Sequence, residues 1–208
     1  MGSTKKVLVS GLGGFIGRHT APLLLKQGFE VCAFGRGDKP AHLDDGIEWR
    51  RLDFLDFAAT NALVHEVRPS HFLNLAWYTE HGKFWRAPEN AKCVLAGLNL
   101  LIAFRESGGH RFVGAGTCAE YDWDYGFLSE DSTPRRPSTP FGRSKNALFE
   151  ASASYGDTTE VSFAWGRVFF VYGPHEDETR LVSSVIISLL AGKRAKCSPG
   201  LQVRDFSH

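Results

Sequence analysis

The 208-residue sequence lacks an excess of either charge: 24 lysines and arginines stand against 23 aspartates and glutamates, for a net charge of +1. A protein that mainly grips nucleic acid or an anionic membrane shows a basic excess, so both classes are set aside. No apolar run is long enough to span a bilayer. Cys32, Cys93, Cys118 and Cys197 lie far apart, with no Cys-x-x-Cys pair and no Cys/His cluster. That spacing argues against a metal site and fits reduced thiols in a cytoplasmic protein. Lys5-Lys6 ahead of apolar residues resembles the start of a signal peptide. Gly11, Gly13, Gly14 and Gly17 interrupt that run, however, and Arg18-His19 closes it. Repeats, low-complexity tracts and linkers are also missing. An apolar content of 43% suits one continuous globular unit with a large core.

What is present alternates. β-rich runs at Val7–Ser10, Val31–Phe34, Glu48–Leu52, Phe72–Ala76, Arg111–Ala115 and Val161–Val171 read as strands. Helical patterns cover Phe15–Lys26, Asn90–Glu106, Phe141–Tyr155 and Leu181–Ala191. Between Leu52 and Phe72 the pattern names no element. Strand–helix alternation implies an α/β fold, a parallel sheet doubly wound by helices on both faces.

The turn after the first strand is Gly11-Leu12-Gly13-Gly14-Phe15-Ile16-Gly17. Glycines there let the backbone approach a pyrophosphate, and the helix that follows offers free N–H groups and a positive dipole end. The G-x-x-G-x-x-G spacing differs from G-x-G-x-x-G, but its strand–turn–helix setting points to a dinucleotide. The second strand ends Phe34-Gly35-Arg36. An acid there would take the ribose 2′-OH of NAD, and an arginine suits the 2′-phosphate of NADP. NADP is therefore expected, with NAD possible; the plainer reading of Arg36 is a solvated loop charge. Asp53, after the third strand, is placed to accept from the adenine amine.

Thr139-Pro140-Phe141-Gly142-Arg143-Ser144-Lys145 opens the third helical stretch. A tyrosine at 141 would complete Tyr-x-x-x-Lys, two side chains on one helix face. The lysine would then lower the phenol's pKa toward working pH. Phenylalanine keeps the ring and loses the proton.

These residues resemble the extended short-chain dehydrogenase/reductases, the NAD-dependent epimerase/dehydratase family, whose members mostly rework nucleotide-sugars. The resemblance covers essentially the whole chain. Gly11, Gly14 and Gly17, with Phe15 and Ile16 between, look like its phosphate turn. Asp53 falls at its adenine-contacting Asp. Asn74-Leu75-Ala76 is similar to the cofactor-lining end of its fourth strand, and Phe112–Thr117 to the strand that ends in its catalytic Ser/Thr. Gly166–Pro174 resembles "RxxNVYGP", and Arg204–His208 resembles "RDF-x-H". The resemblance implies that Thr117 bonds the reacting sugar oxygen. It implies that Lys145 holds the nicotinamide ribose and tunes the acid/base. It implies that Arg204 and Arg180 pair with the diphosphate of a nucleotide-sugar, and that the molecule can be a homodimer. Residues 1–172 would form the NAD(P)-binding unit and 173–208 the start of a substrate lobe.

Three departures stand out: Phe141 at the tyrosine position, Phe170 where many members have Asn, and a chain that ends at His208, which implies an incomplete lobe. The dehydratase branch places Asp-Glu after the catalytic Thr, whereas Cys118-Ala119 follow Thr117. The expected function is a nucleotide-sugar epimerase or 4-ketoreductase, impaired by Phe141. The alternative is a non-catalytic dinucleotide-binding protein of the same fold. Trp77, Tyr78, His81 and Trp85 are read either as a substrate-pocket lining or as a cap on the sheet edge. Cys118 is read as a redox group or as a small buried residue.

Overall fold

The computed structural model describes residues 5–208. Lys6–Ser10 (β1) shows why the sheet is covered twice. Successive side chains of a strand point to opposite faces, and here Val7 and Val9 are buried in one core cluster and Leu8 in another. A strand apolar on both faces belongs at the centre of a sheet.

Phe15–Lys26 (α1) follows the glycine turn, and Gly28 then takes the left-handed conformation, φ +76°, that stops a helix. Glu30–Gly35 (β2) and Glu48–Arg51 (β3) extend the sheet to one side. Phe57–Val67 (α2) is a helix that the sequence pattern did not name. Its signals are local: Asp56 caps it by accepting the Ala59 N–H at 3.0 Å, and Thr60, Leu63, Val64 and Val67 are its buried face.

His71–Asn74 (β4), Glu89–Glu106 (α3), Arg111–Thr117 (β5), Pro140–Thr159 (α4) and Ser162–Val168 (β6) complete the sheet. All pairings are parallel, in the order β3-β2-β1-β4-β5-β6. That is a dinucleotide-binding topology, with its crevice where the order reverses, between β1 and β4. One core layer is an aromatic ladder across paired residues. Phe72 stacks on Phe112 at 5.3 Å, and Phe112 on Phe163 at 6.2 Å. Phe34, Phe72, Phe104 and Phe112 are fully buried, each stabilising by roughly 1.5–3 kcal/mol relative to exposure.

The sixth strand is shorter than the apolar run Val161–Val171 suggests. Its partner β5 ends at Thr117, opposite Val168. Beyond that pair the chain leaves the sheet. Phe170–Val171 (β7) pairs instead with Phe206–Ser207 (β8) in a separate two-stranded ribbon. Leu181–Leu190 (α5) lies between them, and none of its ten residues is fully buried. Among the described residues no helix is long and apolar enough to cross a membrane, and no group of three or more His, Cys, Asp or Glu could hold a metal.

Candidate cofactor and active site

The glycine turn fits a diphosphate. Gly11 has φ +76°, and a Cβ there would stand 2.8 Å from the Ala76 nitrogen and 2.9 Å from the Leu75 carbonyl carbon. The turn therefore lies directly on the end of β4. Ser10 secures the contact by donating to Asn74 Oδ1 at 2.6 Å and accepting the Ala76 N–H at 3.2 Å. A Cβ at Gly17 would overlap the Leu12 carbonyl, so only glycine lets α1 start this close to β1. Gly14 caps α1 without a side-chain bond, and no acid stands in the first turn. The N–H groups of Phe15, Ile16 and Gly17 are left for an anion. Gly11, Gly14, Phe15, Ile16, Gly17, Leu75 and Ala76 thus meet at one crevice. Arg36 and Asp53 lie at its outer end, both exposed; Asp53 already accepts the Leu55 N–H at 2.9 Å.

The second half of the site forms where β5 meets α4. Thr139 caps α4 by accepting the Gly142 N–H at 3.1 Å, and Pro140 fills the first helical position. A Cβ at Gly142 would overlap the Ala119 carbonyl, so α4 sits against the short turn Cys118–Glu120. That contact packs Phe141 with Ala119 and lets Lys145 reach the Ala115 carbonyl of β5.

Glu120 holds this turn. It is wholly buried: Oε1 accepts the Thr117 N–H at 2.8 Å and the Trp165 indole N–H at 3.0 Å, and Oε2 accepts Arg167 Nε at 2.7 Å. Its signal in the sequence is Thr-x-x-Glu, the spacing of a capping box, which Thr117 and Glu120 form.

Phe141 is buried in an aromatic group. Its ring meets Phe84 at 4.9 Å, Trp85 at 5.6 Å and Trp77 at 6.3 Å, all edge-to-face. Of the four residues noted after β4, Trp77 and Trp85 join this group. Tyr78 donates to Glu80 at 2.7 Å, and His81 is exposed. Lys145 donates to the Ala115 carbonyl at 2.7 Å, and its ammonium lies 3.9 Å from the centre of the Trp77 ring. Burial lowers its pKa from 10.5 to about 7, with Glu120 pulling the other way.

The two arginines lie over aromatic rings, Arg180 over Phe84 and Arg204 over both Trp123 and Phe170. Arg180 lies 5.9 Å from the Phe84 ring, on the far side of the group that holds Phe141. Arg204 lies 4.8 Å from the Trp123 ring, and Trp123 donates to the Cys118 carbonyl at 3.0 Å. Burial pushes the Cys118 thiol up to about 11, which makes it a small buried residue rather than a proton carrier. Tyr121 is buried, with Phe169 and Arg167 as its ring neighbours.

A glycine turn after β1, a Thr at the end of β5 and a buried Lys on α4 thus stand on a dinucleotide-binding topology. The model of the NAD dependent epimerase/dehydratase family matches residues 7–208, and the chain belongs to that family. It is 26% identical over 186 residues to dTDP-6-deoxy-L-talose 4-dehydrogenase (NAD(+)) of Aggregatibacter actinomycetemcomitans, covering 88% of this chain and 66% of that protein. It is 26% identical over 216 residues to the dTDP-D-glucose 4,6-dehydratase of Mus musculus, covering 97% and 61%. Its fold overlays the UDP-glucose 4-epimerase of Thermus thermophilus, in complex with NAD, at a TM-score of 0.81 and 28% identity, covering 97% of this chain and 70% of that one. The chain spans about two thirds of the length of the curated relatives it matches.

Proposed function

We propose that the chain is the dinucleotide-binding part of an NADP-dependent nucleotide-sugar epimerase or 4-ketoreductase, impaired in hydride transfer by Phe141. The observation that carries this reading is the convergence of the Gly11–Gly17 cradle with Thr117, Phe141 and Lys145 along one sheet edge. When bound, the dinucleotide would supply the hydride acceptor. Gly11, Gly14 and the first-turn N–H groups of α1 would hold its diphosphate, with Leu75 and Ala76 as a wall. Thr117 would hold the sugar oxygen, and Arg180 and Arg204 would bind the sugar's diphosphate in the bidentate manner arginine favours. Residues 173–208 would begin the substrate lobe; the unburied α5 supports that division at 172.

Two features support NADP over NAD. Arg36 is exposed at the end of β2, and a Cβ at Gly35 would stand 2.9 Å from the Trp49 ring. A side chain at 35 would press on Trp49, which supports a glycine there rather than the acid that an NAD ribose would use. The order Thr117-Cys118-Ala119, with no acid pair, supports an epimerase or reductase over a dehydratase. Four unpaired cysteines, three of them buried, accord with a cytoplasmic location. The unfilled Leu95 and Ile102 on α3, both exposed, accord with a homodimer.

A second reading, a non-catalytic dinucleotide binder, draws on Phe141 itself, which is well packed in its aromatic group. Phe141→Tyr in the whole protein separates the two. A gain of at least about tenfold in turnover on UDP- or dTDP-sugars supports the enzyme, and no gain supports the binder. Mass spectrometry of small molecules released on denaturing the purified protein identifies which dinucleotide it holds.

A further inference from the structure

Trp77 neighbours both Phe141 and Lys145. Its edge faces Phe141, and its flat face covers the Lys145 ammonium at 3.9 Å. It is not loosely placed. Its indole N–H donates to Asn90 Oδ1 at 2.8 Å, and the buried Asn90 donates onward to the Phe84 carbonyl at 2.7 Å. The ring is thus tied to the start of α3 and to the chain beneath Phe141.

The Lys145 ammonium has three donors. One is spent on the Ala115 carbonyl, and the Trp77 face lies against the ammonium at 3.9 Å, with the Trp165 ring farther off at 5.9 Å. Its carboxylate neighbour Glu120 is occupied by Thr117, Trp165 and Arg167. A desolvated ammonium on a tryptophan face is among the stronger cation–π arrangements. A sugar hydroxyl that bonds Lys145 competes with that face for the ammonium.

We infer that Trp77 competes with the nicotinamide ribose for the Lys145 ammonium and so sets how tightly the nicotinamide half of a dinucleotide is held. The inference rests on the dinucleotide reading above. The diphosphate half binds at the Gly11–Gly17 cradle, which Trp77 does not touch. The nicotinamide half binds only as Lys145 separates from the indole. Trp77 is a specificity-setting residue: it weakens ligands that reach Lys145 and leaves those that stop at the phosphates alone.

Calorimetric titration of the unmodified protein, Trp77→Ala and Trp77→Phe with NADP⁺ and with ADP tests this. ADP carries the diphosphate but neither the nicotinamide ribose nor the 2′-phosphate, so each ligand is compared with itself across the three proteins. Trp77→Ala is expected to bind NADP⁺ about tenfold more tightly and ADP unchanged. Trp77→Phe, which keeps a weaker aromatic face and most of the packing, is expected to fall between. Tryptophan emission gives a readout that does not depend on the alanine variant folding. The change that NADP⁺ produces beyond that of 2′-phospho-ADP, which shares its 2′-phosphate, should disappear in Trp77→Phe. Equal NADP⁺ affinities in all three proteins overturn the inference and leave the dinucleotide reading standing. A parallel gain for ADP also overturns it, because the effect then lies at the cradle. Absence of binding of either ligand to the unmodified protein overturns both.

Discussion

Arg167 Nε lies 2.7 Å from Glu120 Oε2, with the carboxylate wholly out of water and the guanidinium nearly so. This ion pair joins β6, the edge strand of the sheet, to the turn that carries Thr117. Buried ion pairs are costly to form and costlier to break, because removing one partner strands the other's charge.

Glu120→Gln is expected to destabilise the fold by about 3 kcal/mol, read as a fall in the denaturant midpoint. Removing both charges, as in Glu120→Gln with Arg167→Met, should recover part of that loss. A double variant no more stable than the single one would show that the pair itself, not the stranded Arg167 charge, carries the effect.

Lys145 gives the fold a pH dependence of definite sign. Its folded pKa is depressed to about 7 from 10.5, so between those values the unfolded chain holds more protons. Stability should rise with pH from about 7, by up to about 1.4 kcal/mol per pH unit. The thiols act the other way. Burial raises Cys32 to about 12 and Cys118 to about 11 from 9.0, which favours the fold below pH 9 and is lost above it. The expected profile climbs from pH 7 to about 9 and then turns down. Lys145→Met should flatten the climb and leave the downturn.

Arg36→Ala is expected to weaken NADP⁺ by about tenfold, the loss of one charge-assisted phosphate contact, and to leave NAD⁺ unchanged. Equal losses for both dinucleotides, measured by calorimetry, would remove Arg36 from the 2′-phosphate.

Gly17→Ala should cost at least about 2 kcal/mol and abolish binding of ADP, because the added methyl overlaps the Leu12 carbonyl beneath the turn. Gly28→Ala meets no atom within 4 Å. It should cost only the strain of a left-handed alanine, about 1 kcal/mol, and keep ADP binding. Thermal melts with and without ADP distinguish the two.

Most of the frame was legible in the sequence, since alternation, glycine turns and buried apolar runs are local signals. β1, α1 and α3 fall close to where the pattern puts them. What escaped depends on neighbours. The run Val161–Val171 is apolar throughout much of its length, yet it stops pairing at Val168 because β5 stops at Thr117, a fact of another strand. Helix α2 was overlooked, although Asp56 and its buried face announce it. At the site, the glycine turn and the four-residue spacing of Phe141 and Lys145 are local signals, while Thr117 is named only through the family resemblance. The contacts of Glu120 and Trp77 could not be read from order, because each depends on which partners the fold brings within reach: Arg167 from 47 residues away for the one, and Lys145 of α4 for the other.

The ribbon of β7 and β8 holds by two residue pairs, Phe170 with Phe206 and Val171 with Ser207, while the main sheet holds by five strand pairings. The crevice therefore has walls that live on different clocks. The amides of Phe170 and Tyr172, bonded across the ribbon to Asp205 and Ser207, should trade their hydrogens for deuterium by small local openings. Those of Leu8 and Phe72 should wait for the whole molecule to unfold. Arg204, next to that ribbon, is free to swing on the faster clock while the Gly11–Gly17 cradle keeps the slower one.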